Sequence, residues 1–211
     1  MVQALTASSL SLNEVMERLQ FEGAFSESFE EFLTLEPLTS VEKAGAADLQ
    51  RVWQEYRFQS RTAENYVKTA GLPLLLWLCG YIAAGLQLLL EENIEPIEID
   101  DGETVIRGRM DMLLYRQPKG DRTALCALVI ETKRGAASGL AGLPQLLTYA
   151  STFLDKQPVV WGLITNGYEY EFVRIERGLF REFSPLSVLY PKDLELLVQV
   201  AIAIRKLATV E

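Results

Sequence analysis

The 211-residue sequence contains no histidine, and this absence narrows the chemistry open to the protein. Without an imidazole there can be no Ser-His or Cys-His catalytic pair and no zinc site with histidine ligands. Only two cysteines occur, Cys79 and Cys126, and both lie in apolar runs. This favours buried thiols in a reducing, cytoplasmic compartment over a disulfide. Hydrolytic chemistry would therefore depend on carboxylates, lysine and a bound metal ion.

Signals for nucleotide binding and secretion are also missing. No Gly-x-x-x-x-Gly-Lys-Ser/Thr sequence occurs, so no ATP-driven motor is expected, and the first residues lack the charged lead of a secretory signal. Residues 69–90 carry no charge and approach the roughly 20 apolar residues that cross a bilayer. Pro73, Gly80 and Gly85 interrupt this run, which favours a buried helix ending near Gly80 followed by an extended piece. A membrane span is the weaker alternative.

The negative charge is concentrated near the start of the chain. The formal net charge is −9, and residues 1–50, with nine acidic and two basic side chains, account for −7 of it. Basic residues cluster later, and Arg107, Arg109, Lys119 and Arg134 are expected to contact phosphates of a nucleic acid. A mixed solvated surface is the alternative explanation for each of them taken singly.

The pattern of apolar residues predicts a mixed α/β fold in two parts. Residues 1–58 are predicted to form an acidic helical N-terminal extension packed on the core, with Ser11 and Glu14 as a capping box. Residues 59–211 are predicted to form the main domain, a mixed β-sheet covered by helices. Its expected elements are a helix over 60–80, strands over 94–100, 104–116 and 124–133, a helix over 144–154, a hairpin over 158–176 and a helix from Pro191.

Three charged residues interrupt or end predicted strands that are otherwise apolar. Asp111 lies within the second strand, and Glu131 and Lys133 end the third. Period-two geometry puts Glu131 and Lys133 on one face, and an antiparallel pairing of the two strands would bring Asp111 beside Glu131. The two carboxylates and the backbone carbonyl of Thr132 would suit Mg²⁺ or Mn²⁺, with Lys133 beside the attacking water. The alternative is three ordinary polar residues at strand ends, but burying unpaired carboxylates is costly.

The stretch IRGRMDMLLY…LVIETKRG resembles the PD-(D/E)XK restriction-endonuclease-like superfamily. Over residues 60–208 the chain is most similar to the N-terminal nuclease domain of type I restriction enzyme R subunits and to small stand-alone relatives common in cyanobacteria. Further similarity to the superfamily lies in three other segments, PQLLTYA, GLITNGYEYEF and TAENYVKTAGLPLLLWLCGY. The resemblance implies a restriction-endonuclease-like fold, with Asp111, Glu131 and Lys133 as the catalytic motif.

The same resemblance implies one further catalytic residue, Gln145, and two secondary site residues, Glu64 and Tyr149. Gln145 and Tyr149 match a Gln-x-x-x-Tyr pattern that follows the catalytic strand in one branch of the superfamily. Glu64 matches an acidic residue of the preceding helix that can join the metal site. Ordinary explanations exist for each: a helix residue facing the sheet, a core aromatic, and a glutamate that favours a helix N-terminus.

The expected function is a Mg²⁺- or Mn²⁺-dependent endonuclease acting on DNA, of a restriction, defence or repair type and without an ATPase. The alternative is a nuclease-like subunit that binds DNA or protein with little turnover, which the overall acidity favours. An unrelated metal hydrolase is also compatible with a carboxylate pair. DNA is the expected partner, together with a homodimer or a larger restriction-type assembly. Neither a membrane nor a nucleotide is expected.

Overall fold

The computed structural model describes residues 3–57, 67–94, 96–99, 104–116, 125–132 and 141–209. The strands of this part of the chain are β1 Gln3–Thr6, β2 Glu22–Ser26, β3 Gln87–Asn93, β4 Ile97–Glu98, β5 Thr104–Arg107, β6 Arg109–Arg116, β7 Leu125–Thr132, β8 Val159–Thr165, β9 Glu169–Glu176, β10 Leu179–Phe183 and β11 Leu186–Ser187.

The helices of the same part are α1 Leu12–Arg18, α2 Ser40–Arg57, α3 Leu72–Leu78, α4 Leu143–Ser151 and α5 Pro191–Thr209. A π-helical turn over Val67–Gly71 leads into α3. The predicted capping box at the start of α1 is confirmed, since Ser11 accepts from the Glu14 amide and Glu14 accepts from the Ser11 amide. Pro144 occupies the first turn of α4, as predicted.

Among the described residues, eight strands form one large mixed sheet. Its order is β2-β10-β9-β8-β7-β6-β3, with β11 paired to β9. The predicted antiparallel pairing of the two motif-bearing strands is confirmed, because β6 pairs antiparallel with β7 through Met112 and Ile130. Strand β7 pairs parallel with β8, and α4 lies between them in the chain. A second sheet has the order β1-β5-β4.

Apolar side chains on the two faces of the large sheet belong to two separate cores. Met112 and Ile130 pack in one core, which also includes buried residues of α2, α3 and α5. Leu113 and Val129 pack in the other, with buried residues of α1 and α4. The alternation along β6 and β7 thus buries both faces, as expected for central strands covered by helices. The architecture is mixed α/β with helices flanking a large mixed sheet, in agreement with the sequence.

The prediction of a helical segment over residues 1–58 is wrong in two places. Gln3–Thr6 is strand β1, which pairs parallel with β5, and Glu22–Ser26 is strand β2, which pairs parallel with β10. The N-terminal segment therefore supplies an edge strand to the large sheet. Local sequence could not show this, because short strands are stabilised by cross-strand partners that lie far away along the chain.

Three expectations for the main sheet also need correction. The strand beside β6 is β3, within the extended piece after Gly80. Of the described residues in the range 94–100, only Ile97–Glu98 form a strand. The strand predicted over 104–116 is divided at Gly108 into β5 and β6, which join different sheets. Strand β10 was not predicted. It follows β9 through a turn in which Gly178 has a φ of 73°.

The uncharged segment over residues 69–90 contributes to the core. Leu72, Leu75 and Leu76 of α3 are buried, and the helix ends near Gly80, as predicted. In the described part of the chain no helix has both the length and the apolar character needed to cross a bilayer. Cys79 and Cys126 are buried free thiols, and burial raises the pKa of both.

Candidate active site

An open pocket of about 690 Å³ lies where β5, β6, β7 and α4 approach the N-terminal segment. Seven of the residues that the sequence analysis singled out line it: Arg107, Arg109, Asp111, Glu131, Thr132, Gln145 and Tyr149. They come from three strands and one helix, separated by up to 42 positions along the chain. The pairing of β6 with β7 and the packing of α4 on β8 are what bring them to one place.

Asp111 is held by three hydrogen-bond donors. Its Oδ2 accepts from the backbone amide of Thr132 at 2.8 Å and from the Thr132 hydroxyl at 2.7 Å. Its Oδ1 lies 2.7 Å from Nζ of Lys68, and both side chains of this ion pair are only 17% exposed. These contacts fix the orientation of the carboxylate and neutralise its charge in a place that water reaches poorly.

Glu131 and Thr132 are nearly inaccessible at the end of β7. Glu131 is 2% exposed and Thr132 is 1% exposed. The last residue pair of the β6–β7 ladder at this end is Met112 with Ile130, and Asp111 and Glu131 are the next residues beyond it on the two strands. Both residues line the same pocket, and their assignment to one metal site stays a prediction.

Helix α4 brings the Gln145–Tyr149 pair to the pocket. Gly162 of β8 allows this, since a Cβ there would lie 2.6 Å from Cδ2 of Leu146, which packs against the sheet. Nε2 of Gln145 donates to the Tyr149 hydroxyl at 3.2 Å. Tyr149 also packs tightly on β6, because a Cβ on Gly108 would lie 2.7 Å from its Cε1 atom.

The environment of Tyr149 keeps its hydroxyl protonated. Burial raises the pKa of Tyr149 most strongly, the negative charge of Glu131 adds to this rise, and the hydrogen bond from Gln145 opposes it. The hydroxyl can therefore donate a hydrogen bond into the pocket at neutral pH. It is a neutral donor beside two carboxylates.

Two arginines and a glutamate lie at the rim. Arg107 and Arg109 line the pocket, and Arg109 pairs with Glu91 of β3 at 3.1 Å with its own side chain 60% exposed. Oε1 of Glu91 is also 3.9 Å from Nζ of Lys68. Glu91 has a φ of 54°, which is uncommon for a residue with a side chain and is often found near functional sites.

Several predicted site residues lie outside the described residues. These are Glu64, Lys119, Lys133 and Arg134. Lys133 is adjacent in sequence to Thr132, and Glu64 lies four positions before Lys68. Their assignments remain predictions from the sequence and from the resemblance.

Sequence reasoning missed Lys68, Glu91 and the neutral residues of the pocket wall, which include Thr6, Ser8 and Asn93. One signal for Lys68 was present: it is the single charged residue between Glu64 and Glu91. A lysine at the border of a buried helix is expected to have a nearby counter-ion. The partner could not be named, because Asp111 lies 43 positions further along the chain.

The oxygen atoms of the side chains that line the pocket are of the kind that binds a hard divalent cation. Asp111, Glu131 and Asn93 offer oxygen ligands on one wall, which Mg²⁺ prefers over nitrogen or sulfur. Within the described ranges no group of three or more acidic or cysteine side chains is close enough to form a ligand cluster. A cation here would therefore use two carboxylates, with neutral oxygens and water completing its coordination.

Comparison with known proteins adds no name to this site. No model of a known protein family matches the chain, and a search of curated proteins finds no match.

Proposed function

We propose that this chain is a divalent-metal-dependent endonuclease that hydrolyses phosphodiester bonds in DNA without ATP. One observation carries the proposal: Asp111, Glu131 and Thr132, from adjacent strands, line a single open pocket beside Gln145 and Tyr149. The absence of histidine from the chain leaves carboxylates and lysine as the groups for hydrolysis. The resemblance to PD-(D/E)XK nucleases supports the same reaction and suggests a role in restriction, defence or repair.

Each residue of the pocket has a role that its chemistry allows. Asp111 and Glu131 would hold Mg²⁺ or Mn²⁺, together with the backbone carbonyl of Thr132. The bound ion would polarise a phosphoryl oxygen and lower the pKa of the attacking water. The amide and hydroxyl of Thr132 donate to Oδ2 of Asp111 and hold its carboxylate in one orientation. We assign Lys133, from its position in the sequence motif, to orienting the water and balancing charge on the phosphate.

The rim and the helix would hold the substrate. Arg107 and Arg109 supply positive charge where a phosphate backbone would approach. Gln145 and Tyr149 form a hydrogen-bonded pair of neutral donors that could contact the scissile phosphate or its sugar. The volume of about 690 Å³ is that of a small-molecule site, which suits one or two nucleotides rather than a whole duplex.

Plasmid nicking tests the proposal directly. Wild-type protein should convert supercoiled plasmid to the nicked form with Mg²⁺ or Mn²⁺ and fail to do so with EDTA. Asp111→Asn, Glu131→Gln and Lys133→Ala should each lower the rate by at least about 100-fold, because each removes a charge from the reacting centre. Asp155→Asn is the matched control, since Asp155 is 85% exposed and pairs with Arg177 outside this pocket.

A panel of DNA substrates then identifies which form of DNA the protein cuts. Single-stranded, duplex, nicked and methylated DNA are compared at fixed metal concentration. Cutting that persists in the Asp111→Asn and Lys133→Ala proteins would assign the activity to another site or to a contaminant and would overturn the proposal.

A second candidate is a nuclease-like subunit that binds DNA or protein with little turnover. The observation that favours it is the ion pair at Asp111, in which an ammonium group already neutralises the carboxylate. The net charge of −9 also limits the number of phosphate contacts. This candidate predicts metal or DNA binding by wild-type protein without any nicking on any substrate of the panel.

A further inference from the structure

Lys68 lies near two carboxylates, one of which, Asp111, lines the candidate active site. Its Nζ is 2.7 Å from Oδ1 of Asp111 and 3.9 Å from Oε1 of Glu91. The Lys68 and Asp111 side chains are each 17% exposed, whereas that of Glu91 is 50% exposed. The ammonium therefore has a close, shielded partner and a second, more exposed acceptor within reach of a small side-chain movement.

The hydrogen bonds of Asp111 determine where another cation could approach. A carboxylate offers about four lone-pair positions. Two donors from Thr132 fill those of Oδ2, and Lys68 takes one on Oδ1. A divalent ion would therefore have to bind Oδ1, at the oxygen that the Lys68 ammonium contacts. Repulsion between the two cations in a partly buried place would then favour movement of the ammonium.

Glu91 is the second carboxylate to which the Lys68 ammonium could move. Its backbone has a φ of 54°, an unfavourable conformation for glutamate that persists only where surrounding contacts hold it. This carboxylate already pairs with Arg109 at 3.1 Å. Taking on Lys68 would weaken its hold on Arg109, which lines the pocket and could then contact a phosphate.

We propose that Lys68 is a displaceable counter-cation of this site. Its ammonium neutralises Asp111 in the metal-free protein and transfers to Glu91 when a divalent cation binds Asp111. Lys68 and Glu91 are thus positioning residues that set the metal affinity of the site. The inference rests on the proposed function, because it assumes that Asp111 is a metal ligand.

Calorimetric titration with Mn²⁺ in the absence of DNA tests this inference without measuring turnover. Lys68→Met should bind Mn²⁺ about 10-fold more tightly than wild type, because the competing charge is gone, whereas Lys68→Arg should stay near wild type. Glu91→Gln should bind about 3- to 5-fold more weakly, because the ammonium loses its second acceptor. Glu92→Gln is the matched control: it makes the same charge change at the adjacent exposed residue of β3.

A double-mutant cycle distinguishes transfer of the Lys68 ammonium to Glu91 from a general effect of removing one negative charge near the site. In the Lys68→Met background, Glu91→Gln should no longer change Mn²⁺ affinity relative to Glu92→Gln. If Lys68→Met does not fold, the test is the difference in Mn²⁺ affinity between Glu91→Gln and Glu92→Gln. Both of these variants leave the Lys68–Asp111 pair in place.

Each outcome of the titrations separates this inference from the proposed function. Equal or weaker Mn²⁺ binding by Lys68→Met, or equal effects of Glu91→Gln and Glu92→Gln, would overturn the role of Lys68 and leave the nuclease proposal standing. Mn²⁺ binding that Asp111→Asn does not weaken, or no binding by any variant, would overturn both.

Discussion

Two carboxylates in this protein are partly buried and paired with cationic side chains, but the number of cations that each carboxylate contacts differs. Glu176 of β9 pairs with Arg174 and, at 2.8 Å, with Arg181, and both guanidinium groups lie over the Phe32 ring at 4.6 and 5.5 Å. Asp111 of β6 pairs with Lys68 alone among the described cations, and Lys68 has Glu91 as a second neighbour.

The difference indicates which cluster can accept another cation. Two guanidinium groups serve one carboxylate at Glu176, and this cluster is a structural contact between strands and an aromatic ring. Around the pocket, the described side chains include three carboxylates, those of Asp111, Glu131 and Glu91, and three cations, those of Lys68, Arg107 and Arg109. The Lys68 ammonium is shared by two carboxylates, Asp111 and Glu91, whereas Glu176 has two guanidinium groups of its own. A shared counter-ion beside an open cavity leaves more room for a divalent ion than a carboxylate with two cations does.

The largest expected effect concerns removal of one cation from each cluster. Lys68→Met should lower the free energy of unfolding by about 2–3 kcal/mol in metal-free buffer, because Asp111 keeps its charge and loses its counter-ion in a shielded place. Arg181→Met should cost only about 1 kcal/mol, because Arg174 remains on Glu176. Urea unfolding measures both changes. Equal losses in the two variants would contradict the comparison.

A smaller effect is expected from the hydroxyl that holds Asp111. Thr132→Val removes a donor to a charged oxygen and should lower the free energy of unfolding by about 1.5–2 kcal/mol. Thr148→Val is the control, since this buried hydroxyl donates at 2.8 Å to the neutral carbonyl of Pro144, and it should cost about 1 kcal/mol. A smaller loss for Thr132→Val than for Thr148→Val would argue against a charged, oriented Asp111.

The Glu176 cluster should make stability depend on pH in the acid range. The hydrogen bond from Arg174, with the charges of Arg174 and Arg181, holds the pKa of Glu176 below its usual value of 4.5. Because the pKa of Glu176 is lower in the folded state than in the unfolded state, its carboxylate contributes to stability at pH values above the unfolded-state pKa. This contribution is lost as the pH falls through the folded-state pKa. Glu176→Gln should therefore cost about 1 kcal/mol near neutral pH and progressively less below pH 4.5. Urea unfolding of wild type and variant across this range measures the trend. A cost that grows on acidification would be inconsistent with it.

The smallest effect is expected at the exposed pair of Asp155 and Arg177. Their side chains are 85% and 71% exposed, although the ions lie as close as 2.8 Å. Arg177→Met should change the free energy of unfolding by less than about 0.5 kcal/mol, because water and salt screen the pair. A loss of unfolding free energy as large as that of Lys68→Met would show that burial of an ion pair does not determine the cost of removing its cation.

Much of the fold could be predicted because its signals are local. Short stretches of sequence indicate the Ser11–Glu14 capping box, the position of Pro144 in the first turn of α4 and the pairing of β6 with β7. The convergence of Asp111 and Glu131 on one pocket follows from the same pairing, since charged residues at the ends of apolar strands can be located by position alone.

The features that could not be predicted depend on distant partners. Strand β2 pairs with β10 more than 150 residues later, so nothing within Glu22–Ser26 identifies it as part of the sheet. Lys68 is placed by the packing of α3 and reaches a residue of another element. Gly108 separates β5 from β6, and a Cβ there would lie 2.7 Å from Cε1 of Tyr149, a contact that exists only in the folded chain.

Anomalous X-ray scattering from Mn²⁺-soaked crystals tests the central claim most directly. We expect one peak within about 2.0–2.6 Å of a carboxylate oxygen of Asp111 and of Glu131, absent from crystals of Asp111→Asn protein. A peak elsewhere, or none at this pocket at millimolar Mn²⁺, would contradict the assignment of these two carboxylates as the ligands of a shared divalent ion.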